Sequence, residues 1–421
     1  MYWDRKFKFP LICAAMTRDR FVLLRNRIKF VVDADVSVEE RSADKLWKVR
    51  PLINAIKQGC RALPKQQCLC VDEIIVPFTE QCSIKQYCPG KPNPVGLKMF
   101  VLADPQGLIC DFDVYQGQYT YPNYDNTHFS LREKAVLNLT EDLIPGHKLY
   151  FDRYFTSVKL IKELTKRHLM ATGTIQKKRI PASAKPLIQN NRELHHEGQG
   201  ACEVLTDSSD NIAITQWFDN KPVLLMSNIH AKEPTDTCKR WSKSLGIYTH
   251  VSRPDVIKAY NTNMGGVESA VKLLAVAPNR YKSRKWTDRF FGHMIDLAVT
   301  NSWVSYKADQ TARGTPSKHI KKLRSFKLEL ANVLIDTYFE TSTAPNLSSP
   351  STPQKKRRGR IPVIPTPSLR CRRYNARHIA IFADRQNKCR VCHKKTWMSC
   401  TSCQINLCIV RDRNCFRDFH S

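Results

Sequence analysis

The run CLCVDEIIVPF, residues 68–78, is apolar and β-rich throughout and predicts a strand. Two more strand-like runs follow, Leu97 to Ala103 and Leu108 to Tyr115. Asp104-Pro105-Gln106-Gly107 joins them, a turn of the Pro-then-Gly kind that closes an antiparallel hairpin. Leu131 to Leu143 has helical spacing. Ser130, with Glu133 three residues on, makes a capping box, and Pro145-Gly146 stops the helix. LYFDRYF (149–155) then predicts a strand. Ser157 to Leu169 predicts a helix with Leu160, Ile161 and Leu164 on one face, and Ala171 to Ile175 a further strand.

Three strands in meander followed by right-handed βαβ crossovers build an α/β fold, a mixed sheet with helices on both faces in the ribonuclease H-like order. In that order the first and fourth strands lie side by side in parallel, and each carries an acid: Asp72 in VDE and Asp152 in FDR. Carboxylates about 4 Å apart repel by roughly 4 kcal/mol at an effective dielectric near 20, so a site that gathers them is expected to hold cations or protons. Oxygen ligands suit Mg²⁺ or Mn²⁺, and two such ions can activate a nucleophile and stabilise a leaving oxygen in phosphoryl transfer. A third carboxylate is sought in YNTNMGGVESAV (260–271), where Gly265-Gly266 would let a helix start close to the sheet and Glu268 is the acid. A solvent-facing glutamate favoured by the helix dipole is the rival reading of Glu268.

The chain has 421 residues and a net charge of +30, which points to a polyanionic partner, nucleic acid first. With 42% hydrophobic and 25% charged residues it has the composition of a globular protein, and no apolar run is long enough for a membrane span. From Thr341 to Leu369 proline, serine and threonine dominate, as in a linker. Gln354 to His378 holds nine basic residues and no acid. Lys355, Lys356, Arg357, Arg358 and Arg360 are candidates for phosphate contact and nuclear import. Arg280, Lys282, Arg284 and Lys285, with Tyr281 and Trp286 among them, form a second candidate DNA-contacting stripe, against the plainer reading of a solvated helix face.

Six of the 16 cysteines fall in the last 33 residues. Cys389, Cys392, Cys400, Cys403, Cys408, Cys415 and His420 are seven zinc-type ligands, whereas a cross-braced pair of Zn²⁺ sites needs eight. His393, Asp412 and Cys371 are the candidates for the eighth. A ubiquitin-ligase or chromatin-reader module would also be cross-braced, but the ligase type expects a middle histidine and residues 401–414 contain none.

Several phrases resemble the piggyBac transposases and the proteins derived from piggyBac elements: RDRFVLLRNRIKF (18–30), DKLWKVRPLINAI (44–56), CVDEIIVPF (70–78), KQYCPGKPNPVGLKMF (85–100), YFDRYFTS (150–157), QWFDNKPVLLMSN (216–228) and YNTNMGGVESA (260–270). The resemblance implies a DNA transposase, acting on double-stranded transposon ends at TTAA targets, with a dimerisation region and a nuclear location. The family's catalytic aspartates map onto Asp72 and Asp152. At its third position stands Glu268, and where a further Asp would follow stands Val271. That departure implies a degenerate third position and weak or absent catalysis, the alternative being an inactive domesticated DNA-binding protein acting through its zinc module. The expected organisation is a partial helical DNA-binding and dimerisation region (1–66), the first part of the catalytic core (67–175), a β-rich insertion (176–250), and the last catalytic helix with a flanking helical region (251–340). A basic linker (341–378) and a small C-terminal zinc-binding module (379–421) complete it. The partial first region follows because the family's acidic leader would lie ahead of Met1.

Overall fold

The computed structural model describes residues 2–4, 9–124, 127–207, 209, 211–242, 246–279, 283–342, 367, 372 and 378–421. Arg280, Lys282 and the linker cluster Lys355, Lys356, Arg357, Arg358 and Arg360 lie outside the described residues, as does Cys371. Contacts divide the chain into Lys29–Ala331 and a second unit of Met1–Ile28 with Asn332–Ser421.

In the second unit, α1 (Pro10–Ala15) and α2 (Arg18–Arg27) follow one another at the N-terminus, α2 capped by Thr17 Oγ1, which accepts from the Arg20 N–H. The larger unit opens with α3 (Val38–Ala43) and α4 (Arg50–Arg61) and then enters a nine-stranded sheet. Its strands are β1 (Cys68–Pro77), β2 (Lys85–Tyr87), β3 (Val95–Ala103), β4 (Ile109–Val114), β5 (Lys148–Phe151), β6 (Met170–Thr174), β7 (Cys202–Asp207), β8 (Ile212–Phe218) and β9 (Pro222–Ser227). Their spatial order is β2-β3-β1-β5-β6-β9-β8-β7, with β4 also on β3. β1 runs antiparallel to β3 and parallel to β5, and β5 runs parallel to β6.

The alternation along β1 explains why both faces are covered. Leu69 and Val71 enter one buried cluster with Leu149 and Phe151, beneath α5 (Leu131–Leu139) and α6 (Val158–Lys166). Cys70, Ile74 and Val76 enter the other with Tyr150, and α4 covers it with α9 (Gly266–Leu274) and α10 (Trp286–Ala312). Each fully buried Leu, Val or Phe here is worth roughly 1.5–3 kcal/mol. The 176–250 segment holds α7 (Asn191–Glu197), the β7–β9 strands and a hairpin of β10 (Asp236–Ser242) with β11 (Ile247–Arg253), after which α8 (Asp255–Asn263) leads into α9. Its strand β9 pairs antiparallel with β6, so these strands continue the main sheet. After α10 comes α11 (Leu323–Ser342). Among the described residues no helix is long and apolar enough to cross a membrane.

Two elements stop four residues earlier than the sequence suggests. The helix expected to reach Leu143 ends at Leu139, where the Thr140 hydroxyl donates back to the Val136 carbonyl, and the strand expected to reach Phe155 ends at Phe151. There Asp152 turns the chain, its Oδ1 accepting from the Tyr154 N–H at 2.8 Å and its carbonyl from the Thr156 hydroxyl at 2.9 Å.

Helix α9 lies close to the sheet because of one glycine. A Cβ on Gly266 would stand 2.1 Å from the Asp104 carbonyl oxygen and 2.7 Å from Cys70 Sγ, whereas one on Gly265 would meet nothing within 4 Å. Gly266→Ala is therefore expected to lower stability by about 1–3 kcal/mol through overpacking, and Gly265→Ala by no more than about 0.5 kcal/mol. Urea melts of the two variants check this, and equal effects would refute it.

Candidate metal centres

The parallel register of β1 and β5 pairs Val71 with Phe151 and ends there, so the next residues on the two chains are Asp72, within β1, and Asp152, just past the end of β5. Asp72 Oδ1 accepts from the Glu73 N–H at 2.7 Å, and the Lys91 ammonium lies 3.6 Å from it. The same ammonium is 3.3 Å from Glu73 Oε1. Burial pushes Asp72 up to about 7; Lys91 opposes this, and the Glu73 and Asp152 charges add to it. Burial also raises Asp152, against the Tyr154 N–H, and Glu73 raises it further. Gathered, half-buried carboxylates of this kind favour a proton or a cation, and an all-oxygen donor set fits a hard divalent ion. Arg179 braces the loop after Asp152, its Nη1 donating to the carbonyls of Arg153, Tyr154 and Thr156 at 2.7, 3.0 and 2.9 Å.

Glu268 stands elsewhere in character. Its side chain is 69% exposed and pairs with Lys272, one turn on, at 3.0 Å. It does not figure among the charges acting most strongly on Asp72 or Asp152. Val267, Ala270 and Leu274 take the sheet-facing side of α9. Of the second basic stripe, Arg284 and Lys285 are exposed. Trp286 packs against the core instead of offering a stacking face, and Arg289 Nε donates to the Pro77 carbonyl at 3.1 Å.

The C-terminal residues form two four-ligand groups, Cys389, Cys392, Cys408 and Cys415 in one and His378, Cys400, Cys403 and His420 in the other. The ligand atoms of each lie within 4.8 Å of one another, and each group could hold a metal ion. Cys392 Sγ and Cys408 Sγ are 3.6 Å apart; two sulfurs at about 2.3 Å from a tetrahedral ion would be about 3.8 Å apart. The order of ligands along the chain interleaves the two groups. His420 Nδ1 faces the Phe416 carbonyl at 2.7 Å, which leaves Nε2 toward Cys403 Sγ at 3.5 Å. Arg413 Nε donates to Cys408 Sγ at 3.1 Å; burial would raise that thiol, but this contact and the neighbouring sulfurs bring it below its ordinary value. The eighth ligand is His378, which the sequence reading missed. His393 and Asp412 belong to neither group; His393 sits at a turn with φ 60°. His378 precedes Cys389 by 11 residues, at the end of the basic run, outside the short spacings that mark the other ligands. From the same run, the Arg372 guanidinium lies 4.5 Å from the centre of the Phe419 ring.

A DDE-type family model described as Transposase IS4 matches residues 1–303, and the chain belongs to that family. Within it, the chain is a piggyBac-type, transposase-derived protein. It is 27% identical over 429 residues to human PiggyBac transposable element-derived protein 3, the match covering 100% of this chain and 66% of that protein. Human PiggyBac transposable element-derived protein 2 is likewise 27% identical over 428 residues, again over 100% and 66%. The chain thus spans just under two thirds of these relatives' length. The solved structure of a piggyBac transposase synaptic complex with hairpin DNA superposes with a TM-score of 0.66 at 20% identity, over 96% of this chain and 82% of that one, and shows a shared fold.

Proposed function

We propose that this chain is a nuclear, DNA-binding piggyBac-type protein whose ancestral reaction is Mg²⁺- or Mn²⁺-dependent cleavage and strand transfer at TTAA sites, carried out by a homodimer on transposon ends. The juxtaposition of Asp72, where the parallel pairing of β1 with β5 ends, and Asp152, just past β5, carries this reading. The order β4-β3-β1-β5-β6, antiparallel then parallel, supports a ribonuclease H-like core. Divalent ions bound there would polarise the phosphate and stabilise the leaving oxygen. Asp72 and Asp152 would hold that charge, and Arg179 braces the loop after Asp152 that would carry it. Glu268 is the family's third acid in degenerate form: its longer side chain and its exposed pairing with Lys272 favour weak catalysis. The thiolate and imidazole sets suit tetrahedral Zn²⁺. Around them Lys394, Lys395, Arg411 and Arg413, with the charge of +30, suit a phosphate backbone.

Excision of a TTAA-flanked element from a reporter plasmid tests the catalytic reading. Asp72→Asn and Asp152→Asn are expected to abolish excision, and Glu268→Asp to raise it between about ten- and a hundredfold. Efficient excision by the natural chain, unmoved by Glu268→Asp, would remove the degenerate position. No excision by any variant, with DNA affinity that still falls steeply with salt, would select the inactive DNA-binding alternative.

A further inference from the structure

The loop between β2 and β3 is Cys88-Pro89-Gly90-Lys91-Pro92-Asn93-Pro94. Its ends are closed by the Cys88 N–H donating to the Pro94 carbonyl at 2.7 Å, and Gly90 turns it with φ +85°. Three prolines leave this loop few other conformations. It carries the Lys91 ammonium to 3.6 Å from Asp72 Oδ1, 3.3 Å from Glu73 Oε1 and 3.4 Å from the Glu73 carbonyl. A single cation therefore bridges two successive carboxylates of β1, just beyond the point where its pairing with β5 ends and Asp152 follows.

Glu73 is more than a bystander there. Its side chain is only 15% exposed, and its second oxygen, Oε2, is buried with no hydrogen-bond partner among the described residues. A carboxylate oxygen removed from water and left without a donor is unfavourable unless a cation or donor completes it. Glu73 also lies near enough to Asp152 to act on it electrostatically, and Lys91 acts on Asp152 as well. By contrast the acid on α9, Glu268, is exposed and already paired with Lys272.

We propose that Glu73 is a third carboxylate ligand of the divalent cation held by Asp72 and Asp152, and that Lys91 is the resident counter-charge which the cation displaces. This rests on the reading of the Asp72–Asp152 pair as a cation site. Hard divalent ions bind through oxygen atoms only, and Glu73 Oε2 supplies one that nothing else uses. Lys91 keeps the carboxylates together before the ion arrives and competes with it for them. The cation thus stays bound although the α9 position is degenerate, which separates metal binding from catalytic competence.

The test is Mn²⁺ titration of the zinc-loaded full chain, followed by the electron paramagnetic resonance of the free ion, with melting curves to confirm that each variant is folded. Thiolate groups have little affinity for Mn²⁺, so the titration reports the carboxylate site. Glu73→Gln is expected to weaken binding at least tenfold, and Lys91→Met to tighten it about tenfold by removing the competitor. If Glu73→Gln does not fold, Glu73→Asp and Lys91→Met carry the test. The cation reading itself falls if neither the natural chain nor Lys91→Met takes up Mn²⁺, or if Asp72→Asn changes nothing. Glu73 alone is refuted if Asp72→Asn abolishes binding while Glu73→Gln binds as the natural chain does. Lys91→Met binding no more tightly than the natural chain refutes the role of Lys91.

Discussion

With zinc in the two ligand groups, as proposed, stripping the metal is expected to unfold residues 378–421. Among the described residues the buried cluster there is Cys389, Cys400, Cys403, Cys408 and Cys415 with Ile405, Leu407 and Phe419, and the partly buried Cys392 and Phe416 pack against it. Without metal, four apolar side chains and six thiols cannot offset the entropy of ordering more than forty residues. Structural zinc in small domains contributes about 10–16 kcal/mol of apparent binding free energy at neutral pH, and here that is folding free energy. A chelator should therefore abolish the dispersion of the module's amide signals. His378→Ala should lower the zinc content from two ions per chain to one, because Cys400, Cys403 and His420 then lack their fourth partner. His393→Ala and Asp412→Ala should keep both ions. Metal analysis of the four proteins decides the matter, and two zincs retained by His378→Ala would remove His378 from the ligand set.

The contrast between His378 and the seven other ligands shows which features a sequence displays. Cys389, Cys392, Cys400 and Cys403 announce themselves by spacing, because two ligands of one ion separated by two residues form a local turn. His378 reaches Cys400 only through the pairing of β12 (Ala380–Lys388) with β13 (Lys395–Cys400), a non-local contact that no spacing records. The same division runs through the larger unit. The Ser130–Glu133 box is local, and it forms, with the Ser130 N–H and hydroxyl both donating to Glu133 Oε2. The Asp104–Gly107 turn is local as well, with the Gly107 N–H donating to the Asp104 carbonyl at 3.0 Å. The placing of Asp72 beside Asp152 was legible because the order of strands and crossovers leaves few topologies. What the sequence could not show was the direction of single side chains. Glu268 and Val271 both lie on α9 and both turn toward solvent, which the pattern of apolar residues does not fix. Trp286 reads as a stacking surface among basic neighbours, yet it packs, partly buried, against the cluster that α10 forms with the sheet, a choice made by tertiary packing. The pairing of β9 with β6 joins residues more than fifty apart in the chain and has no local signature.

The buried charges beneath α4 are the other place where one substitution should have a large effect. Lys57 lies 3.4 Å from Asp111 and also pairs with Asp113, and Arg61, one turn on, holds Asp111 Oδ2 at 2.9 Å. Asp113 further accepts from the Tyr121 hydroxyl at 3.2 Å and Asn138 Nδ2 at 2.9 Å. The side chains of Asp111, Asp113 and Lys57 are 4, 12 and 18% exposed, so little water is present to take the place of a lost partner. Lys57→Met leaves two carboxylates of β4 facing one guanidinium and is expected to cost about 3–5 kcal/mol at pH 7. Its dependence on pH follows from Asp111, which burial raises above the ordinary 3.8, with Lys57 and Arg61 opposing and Asp113 adding. A folded-state value above the unfolded one means that the folded protein binds the proton more tightly, so stability grows as pH falls through the raised value. Removing Lys57 removes the first of the opposing charges and raises Asp111 further. The deficit of Lys57→Met should therefore shrink as the pH is lowered from 7 toward the folded-state value of Asp111. Asp111→Asn with Asp113→Asn in the Lys57→Met background should recover most of the loss, since the repulsion is then gone. Urea denaturation at pH 7 and pH 5 measures both effects, and a deficit that grows on acidification would contradict this account. The edge strand β4 depends on this clamp. The helix face that carries Lys57 and Arg61 covers it, and without that cover β4 would present an open edge for pairing with another chain, so the same variant should also aggregate at lower concentration than the natural protein.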